Sequence, residues 1–143
     1  MSGSSNNRKY HLPITELIDR VTILEIKLVL DNKNSKDYLN EIELIKSDLE
    51  FELNKKQIIL STKIVQTLIA LGQMNLHIWY IKDQMKLQQN DPLAYANNMK
   101  LAHQLNGLRN QLKNMLLIFE DKTTSSQIRS NTEMDGLEID LGI

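Results

Sequence analysis

The chain has 143 residues with a formal net charge of −1, and 41% of its residues are hydrophobic and 24% charged. These values fit one ordinary soluble domain, and the near-neutral charge argues against nucleic-acid binding, which usually shows as a basic excess. The chain has no cysteine, which excludes disulfides, thiol catalysis and thiolate metal sites and suits a cytoplasmic location.

The first ten residues lack the apolar core of a signal peptide, and the most apolar long run, residues 58–81, is interrupted by polar side chains. We therefore expect no membrane span. Five glycines and two prolines in a chain rich in Leu, Ile, Lys, Glu and Asn favour long helices. The expected fold is all-α, an antiparallel up-down bundle of about four main helices at residues 11–120. A flexible arm at residues 1–10 and a C-terminal tail at residues 121–143 would flank it.

The first predicted helix, residues 14–30, carries apolar side chains on two sides. At about 100° per residue, one group forms an ordinary core stripe and a second group points roughly the opposite way. The core stripe is Ile14, Leu17, Val21, Leu24 and Leu28, and the second group is Ile23, Ile26 and Leu30. We expect a homo-oligomer in which another chain covers the second group, unless the segment near residues 58–60 or the tail covers it.

Glu25 lies angularly between these two groups. If both are buried, its carboxylate is partly desolvated and needs a cationic or hydrogen-bonding partner. A purely structural ion pair, or an exposed Glu25, is the alternative interpretation.

Capping signals and apolar spacing predict three more helices. Ser35 is a plausible N-cap for the second, whose remaining faces carry charges such as Asp48, so it is expected to be an outer helix. No glycine or proline marks the turn between it and the third helix, expected at residues 62–86. Asp91 as N-cap and Pro92 at the first position begin the fourth.

Polar side chains interrupt the core face of the third helix. Asn75 lies within a stripe that includes Trp79, and a buried amide without hydrogen bonds costs about 1–3 kcal/mol, so Asn75 implies a polar partner. Further along, Lys82 makes this face basic, although lysines near a helix C-terminus also suit the helix dipole.

The fourth helix has an amide and two cations along one edge of its core face. Asn106, Arg109 and Lys113 span about 60° of arc, where they could meet Glu25 or Asn75. A solvated charged border is the alternative.

In the tail, residues 137–143 alternate apolar and other residues, a pattern that suits an added strand, a docking peptide or a frayed end.

Three segments resemble an uncharacterised all-helical bacterial domain family of unknown function. They are ELIDRVTILEIKL at residues 16–28, NLHIWYIKDQMK at 75–86 and LNGLRNQLKNML at 105–116. The resemblance covers about residues 12–119, and Lys82 and Gly107 depart from the acids usual in that family. It implies an all-helical fold, a loose association with cell-surface polysaccharide neighbourhoods, and no known activity. The recurrent polar positions it implies are Glu16, Asp19, Arg20, Glu25, Lys27, Asn75, Trp79, Asp83, Asn106, Arg109 and Lys113.

Two functions remain open from the sequence, so enzymatic activity is undecided. One is an interaction or assembly module without chemistry, which needs a protein partner and exposed apolar helix surface. The other is a binding or catalytic bundle with a pocket for a small anionic metabolite. The candidate ligand-binding residues are Glu25, Asn75, Trp79, Lys82, Asn106, Arg109 and Lys113.

The most specific hypothesis for a catalytic bundle is a chorismate-mutase-like enzyme, because IDRVT at residues 18–22 loosely resembles the first helix of that family. Thr22 stands where a second acid is usual there. We expect no cofactor and no metal site, since His11, His77 and His103 lack the glutamate three residues earlier that di-metal bundles use.

Overall fold

The structure is a computed structural model that describes residues 12–121. The expected arm at residues 1–10 and the alternating segment at residues 137–143 lie outside this range. The described residues form α1 (Ile14–Leu30), a short 3₁₀ turn (Asn32–Asn34), α2 (Ser35–Lys56), α3 (Thr62–Lys86) and α4 (Pro92–Glu120). No strand occurs between residues 12 and 121, so the prediction of an all-α up-down bundle is confirmed.

Side-chain caps explain where α3 and α4 begin. Ser61 Oγ accepts a hydrogen bond from the Ile64 amide at 3.2 Å, and Asp91 Oδ1 accepts one from the Ala94 amide at 3.2 Å. α2 ends at Lys56, and its C-cap residue, Gln57, has a left-handed φ of 52°. Glycine is the usual residue in that conformation, so no residue type marked this turn in advance.

α1 lies at the centre of the bundle and contacts each of the other three helices, whereas α2 packs chiefly on α1. On one side, Leu17 and Leu24 pack with Ile42 and Ile45 of α2. On another, Ile18 packs against the α3–α4 core. α1 therefore has neighbours on more than one side.

This packing changes the interpretation of the second apolar group of α1. Ile23 and Ile26 are half-buried, and they lie within about 40° of Asp19, whose side chain faces α3 and α4. Only Leu30 remains mostly exposed, at 56%. The group therefore does not by itself require a second chain.

α2 is the outer helix, as predicted, but the burial of one of its residues differs from the prediction. Asp48 was expected on a solvated face and is instead buried, as is Glu52 one turn later. Because α2 makes few contacts with α3 and α4, its C-terminal half leaves a gap beside α1. Between residues 12 and 121, no helix has the length and hydropathy needed to cross a membrane.

Glu120, the last residue of α4, fixes the start of α1. Its carboxylate accepts hydrogen bonds from the main-chain amides of Ile14 at 3.1 Å and Thr15 at 3.2 Å, and Lys56 Nζ lies 2.7 Å from it. Pro13, the N-cap residue of α1, offers no side-chain cap. Glu120 therefore neutralises the positive end of the α1 dipole and joins the ends of three helices.

We predict that Glu120→Gln lowers the free energy of unfolding by about 1–3 kcal/mol, because the amide keeps the shape but loses the charge that Lys56 and the α1 amides bind. Urea denaturation followed by circular dichroism measures this. Glu50→Gln, the same change at an exposed position of α2, is the control and should change stability by less than about 0.5 kcal/mol. Equal effects of the two substitutions would contradict the capping role.

Candidate functional site

A group of polar side chains lies between α1, α3 and α4, centred on Asp19. The Asp19 residue is only 3% exposed. Asn75 Nδ2 donates to Asp19 Oδ1 at 2.9 Å and to Thr22 Oγ1 at 2.6 Å. Arg109 donates through Nε to Oδ1 at 3.2 Å and through Nη2 to Oδ2. Both Asp19 oxygens therefore accept hydrogen bonds from neighbouring helices.

Three more side chains surround this centre. Lys113 Nζ lies 2.9 Å from Glu16 Oε2 and 3.7 Å from Asp19 Oδ2, and Asn106 Oδ1 accepts a hydrogen bond from Arg109 Nη1 at 3.4 Å. We call the whole set the polar cluster. It consists of Glu16, Asp19, Thr22, Asn75, Asn106, Arg109 and Lys113.

The spacing of these residues on their helices explains why they meet. Asp19 and Thr22 are three residues apart on one face of α1, and the Thr22 hydroxyl donates to the Asp19 carbonyl at 2.8 Å. Asn106, Arg109 and Lys113 succeed one another at intervals of three and four on α4, so they share an edge.

Formal charge is balanced inside the polar cluster, with two carboxylates and two cations. Burial alone would raise the pKa of Asp19, but hydrogen bonds from Arg109 and Asn75, together with the charges of Arg109 and Lys113, hold it below its ordinary value. Asp19 is therefore ionised at neutral pH.

This electrostatic state limits the chemistry of the polar cluster. A general base works best when its pKa lies near the operating pH, and Asp19 is shifted away from it. Arg109 and Lys113 already bind carboxylates, so neither offers a free positive charge to an anionic ligand. The arrangement resembles an internal ion network more than a catalytic centre.

The gap beside α2 is a separate cavity of about 820 Å³, which lies between the N-terminal half of α1 and the C-terminal end of α4. Its walls are mainly apolar, and Thr22 is the only member of the polar cluster that lines it. Its volume falls in the range of small-molecule pockets. The apolar side chains that define it include Ile18, Val21, Leu53, Leu68, Leu116 and Phe119.

The structure brings together four of the seven residues chosen from the sequence: Asn75, Asn106, Arg109 and Lys113. Trp79 is half-buried at the edge of α3, and Lys82 is exposed. The expectation that Lys82 extends a buried basic face is wrong, because the α3 core contacts end near Ile81 and Met85.

The expectation of a desolvated Glu25 is also wrong, since Glu25 is exposed. Glu25 lies one turn beyond Val21, on the side of α1 that lines the cavity. It is exposed because α2 and α3 make few contacts with each other and so do not cover this side of α1. The buried carboxylate is Asp19 instead. A helix wheel could have identified Asp19, because this residue lies at the middle of the second apolar group of α1.

Glu16 was not among the candidate ligand-binding residues, and it pairs with Lys113. The family resemblance did imply both Glu16 and Asp19 as recurrent polar positions. Glu120 and Lys56 were not singled out, although Glu120 is the one acid in the sequence of α4 and stands at the unfavourable end of the helix dipole.

Residues 12–121 contain no group of three or more His, Asp or Glu side chains placed to hold a metal ion. No protein-family model, curated protein or solved structure matches the chain, so the resemblance above stays an expectation from its three segments.

We predict that Asp19→Asn lowers the free energy of unfolding at pH 7 by about 2–4 kcal/mol, because it leaves Arg109 partly buried without its counter-charge. The free-energy cost of leaving Arg109 unpaired is reduced by solvent, because its side chain is 23% exposed. Urea denaturation measures it, with Glu25→Gln on the exposed side of α1 as the control. A similar small loss for both substitutions would contradict the buried ion network.

Comparing the wild type with Asp19→Asn at different pH values gives a second test. Because the pKa of Asp19 is lower in the folded state than in the unfolded state, its contribution is present above about pH 4 and is lost as pH falls through the folded value. Wild-type stability should therefore fall more steeply below about pH 4 than that of Asp19→Asn. Parallel curves would show that Asp19 is not the titrating group.

Proposed function

We propose that the chain is a helical interaction module whose ionic interior is structural and whose binding surface is the outer face of α3. The observation that supports this most is an exposed apolar stripe on a helix that already buries its opposite face. We call it the outer stripe. It consists of Val65, Ile69, Leu76 and Tyr80, which are 39%, 60%, 41% and 56% exposed.

The outer stripe lies within about 60° of arc and extends about 22 Å along α3. The buried residues Leu71, Asn75 and Ile78 lie on the far side of the same helix. A helix at the surface of a bundle normally carries charged residues on its solvent face. Residues 64–81 contain no Asp, Glu, Lys or Arg at all.

α2 provides the contrast within the same chain. Its outer face also has exposed apolar side chains, including Leu44 at 62%, but these alternate with charged neighbours such as Glu43 and Lys46, which pair with each other at 3.1 Å. Scattered exposed apolar residues are ordinary, whereas a contiguous uncharged stripe marks an interaction surface.

The alternative, a pocket for a small anionic metabolite, has less support. Its cations, Arg109 and Lys113, are paired with Asp19 and Glu16, and neither lines the apolar cavity. An anion would have to displace a carboxylate from the polar cluster, which would leave that carboxylate without its counter-charge.

Site-specific photo-crosslinking in cells of the source organism tests the proposal. A benzophenone amino acid at position 69 should give a protein adduct, because this position lies at the centre of the proposed surface. The adduct should disappear when Leu76→Lys is added, since one charge in the uncharged stripe would oppose burial of that surface.

The matched control carries the same photo-reactive residue at position 44, an exposed leucine on α2. It should give no adduct that depends on Leu76. Absence of an adduct from position 69, or equal adducts from positions 69 and 44, would contradict the interaction module.

A further inference from the structure

We infer that the partner of the outer stripe is the same stripe of a second copy of this chain, with the two α3 helices antiparallel. This inference rests on the proposed function and names its partner. It depends on three features of α3: the spacing of the outer stripe, the glycine at its centre and the polarity of its ends.

The spacing of the outer stripe is symmetric. Val65, Ile69, Leu76 and Tyr80 are separated by four, seven and four residues, so the sequence positions read the same from either end. A two-fold axis between residues 72 and 73 would place Ile69 opposite Leu76 of the second copy and Val65 opposite its Tyr80. A two-fold interface requires such a self-complementary surface.

Gly72 lies beside this axis, within about 20° of Val65 on the helix wheel. A glycine within a helix costs about 1 kcal/mol relative to alanine. No contact within residues 12–121 explains it, because a Cβ built at Gly72 meets none of their atoms within 4 Å outside its own stretch of helix. A missing side chain at the midpoint lets two helix backbones approach closely, as small residues do at helix crossings.

The ends of α3 favour the antiparallel direction. Asp83 lies on the same face as the outer stripe, near the C-terminal end of the helix. In the antiparallel pair it falls opposite Thr62 at the N-terminus of the other α3, where the helix dipole favours a negative charge. In a parallel, in-register pair, Asp83 would face the other Asp83 and the two would repel.

Light scattering on the full chain over a range of concentrations tests the association. The mass should rise from 16.6 kDa towards twice that value with concentration. Leu76→Lys should keep the chain monomeric at concentrations where Leu44→Lys, the matched control on α2, still dimerises. A monomeric mass for the wild type at every concentration up to the millimolar range would overturn the inference.

Gly72→Gln separates association from folding. The described part of the chain leaves the position open, so this substitution should raise the melting temperature of the dilute monomer by replacing glycine with a better helix former. It should weaken dimerisation at least tenfold, because two new side chains would meet at the two-fold axis. Unchanged or stronger dimerisation would show that the interface lies elsewhere.

Because the natural chain has no cysteine, single-cysteine variants report the direction of pairing. On oxidation, a mixture of Ile69→Cys and Leu76→Cys chains should form the mixed disulfide faster than either variant pairs with itself. Faster self-pairing of Ile69→Cys would exclude the antiparallel arrangement. A position-69 crosslink to a different protein, together with a monomeric mass, would overturn this inference while leaving the interaction module intact.

Discussion

The arrangement of three helices depends on the interaction of Asp19 with Arg109. The carboxylate of a residue that is only 3% exposed is tolerated only if its charge is balanced and its oxygens accept hydrogen bonds. Arg109 from α4 provides the charge, and Asn75 from α3 provides a further donor. Because these partners lie on different helices, a shift of either helix along α1 would break the contacts. The ion network therefore specifies the register of α1, α3 and α4 in a way that apolar packing alone does not.

This constraint divides the molecule into parts with different roles. The polar cluster satisfies its own charges, and Glu120 fixes the N-terminus of α1 against α2 and α4. In both arrangements each cation is paired with a carboxylate. The uncharged outer face of α3 takes part in neither arrangement, and nothing in residues 12–121 covers its apolar side chains.

The sequence predicted the helices well and the polar cluster in part. The start of α4 followed from a local capping signal at Asp91, which depends only on neighbouring residues. The Ser61 cap of α3 was not singled out, and Ser35, expected as the N-cap of α2, is instead its first residue. Asn75 and Arg109 were recognised because polar groups on apolar faces are visible on a helix wheel. Their true partner was missed, because choosing between Asp19 and Glu25 requires knowing which side of α1 each neighbouring helix covers. Glu120 was missed for a related reason, since the main-chain amides that donate to it are more than 100 residues away in sequence.

The most direct test of the central claim is a double-mutant cycle between Asp19→Asn and Arg109→Met, measured as free energies of unfolding in urea at pH 7. If the two side chains form the buried pair, the double substitution should be less destabilising than the sum of the single ones by at least about 1.5 kcal/mol. Additivity within about 0.5 kcal/mol would contradict it, because residues that do not interact contribute independently.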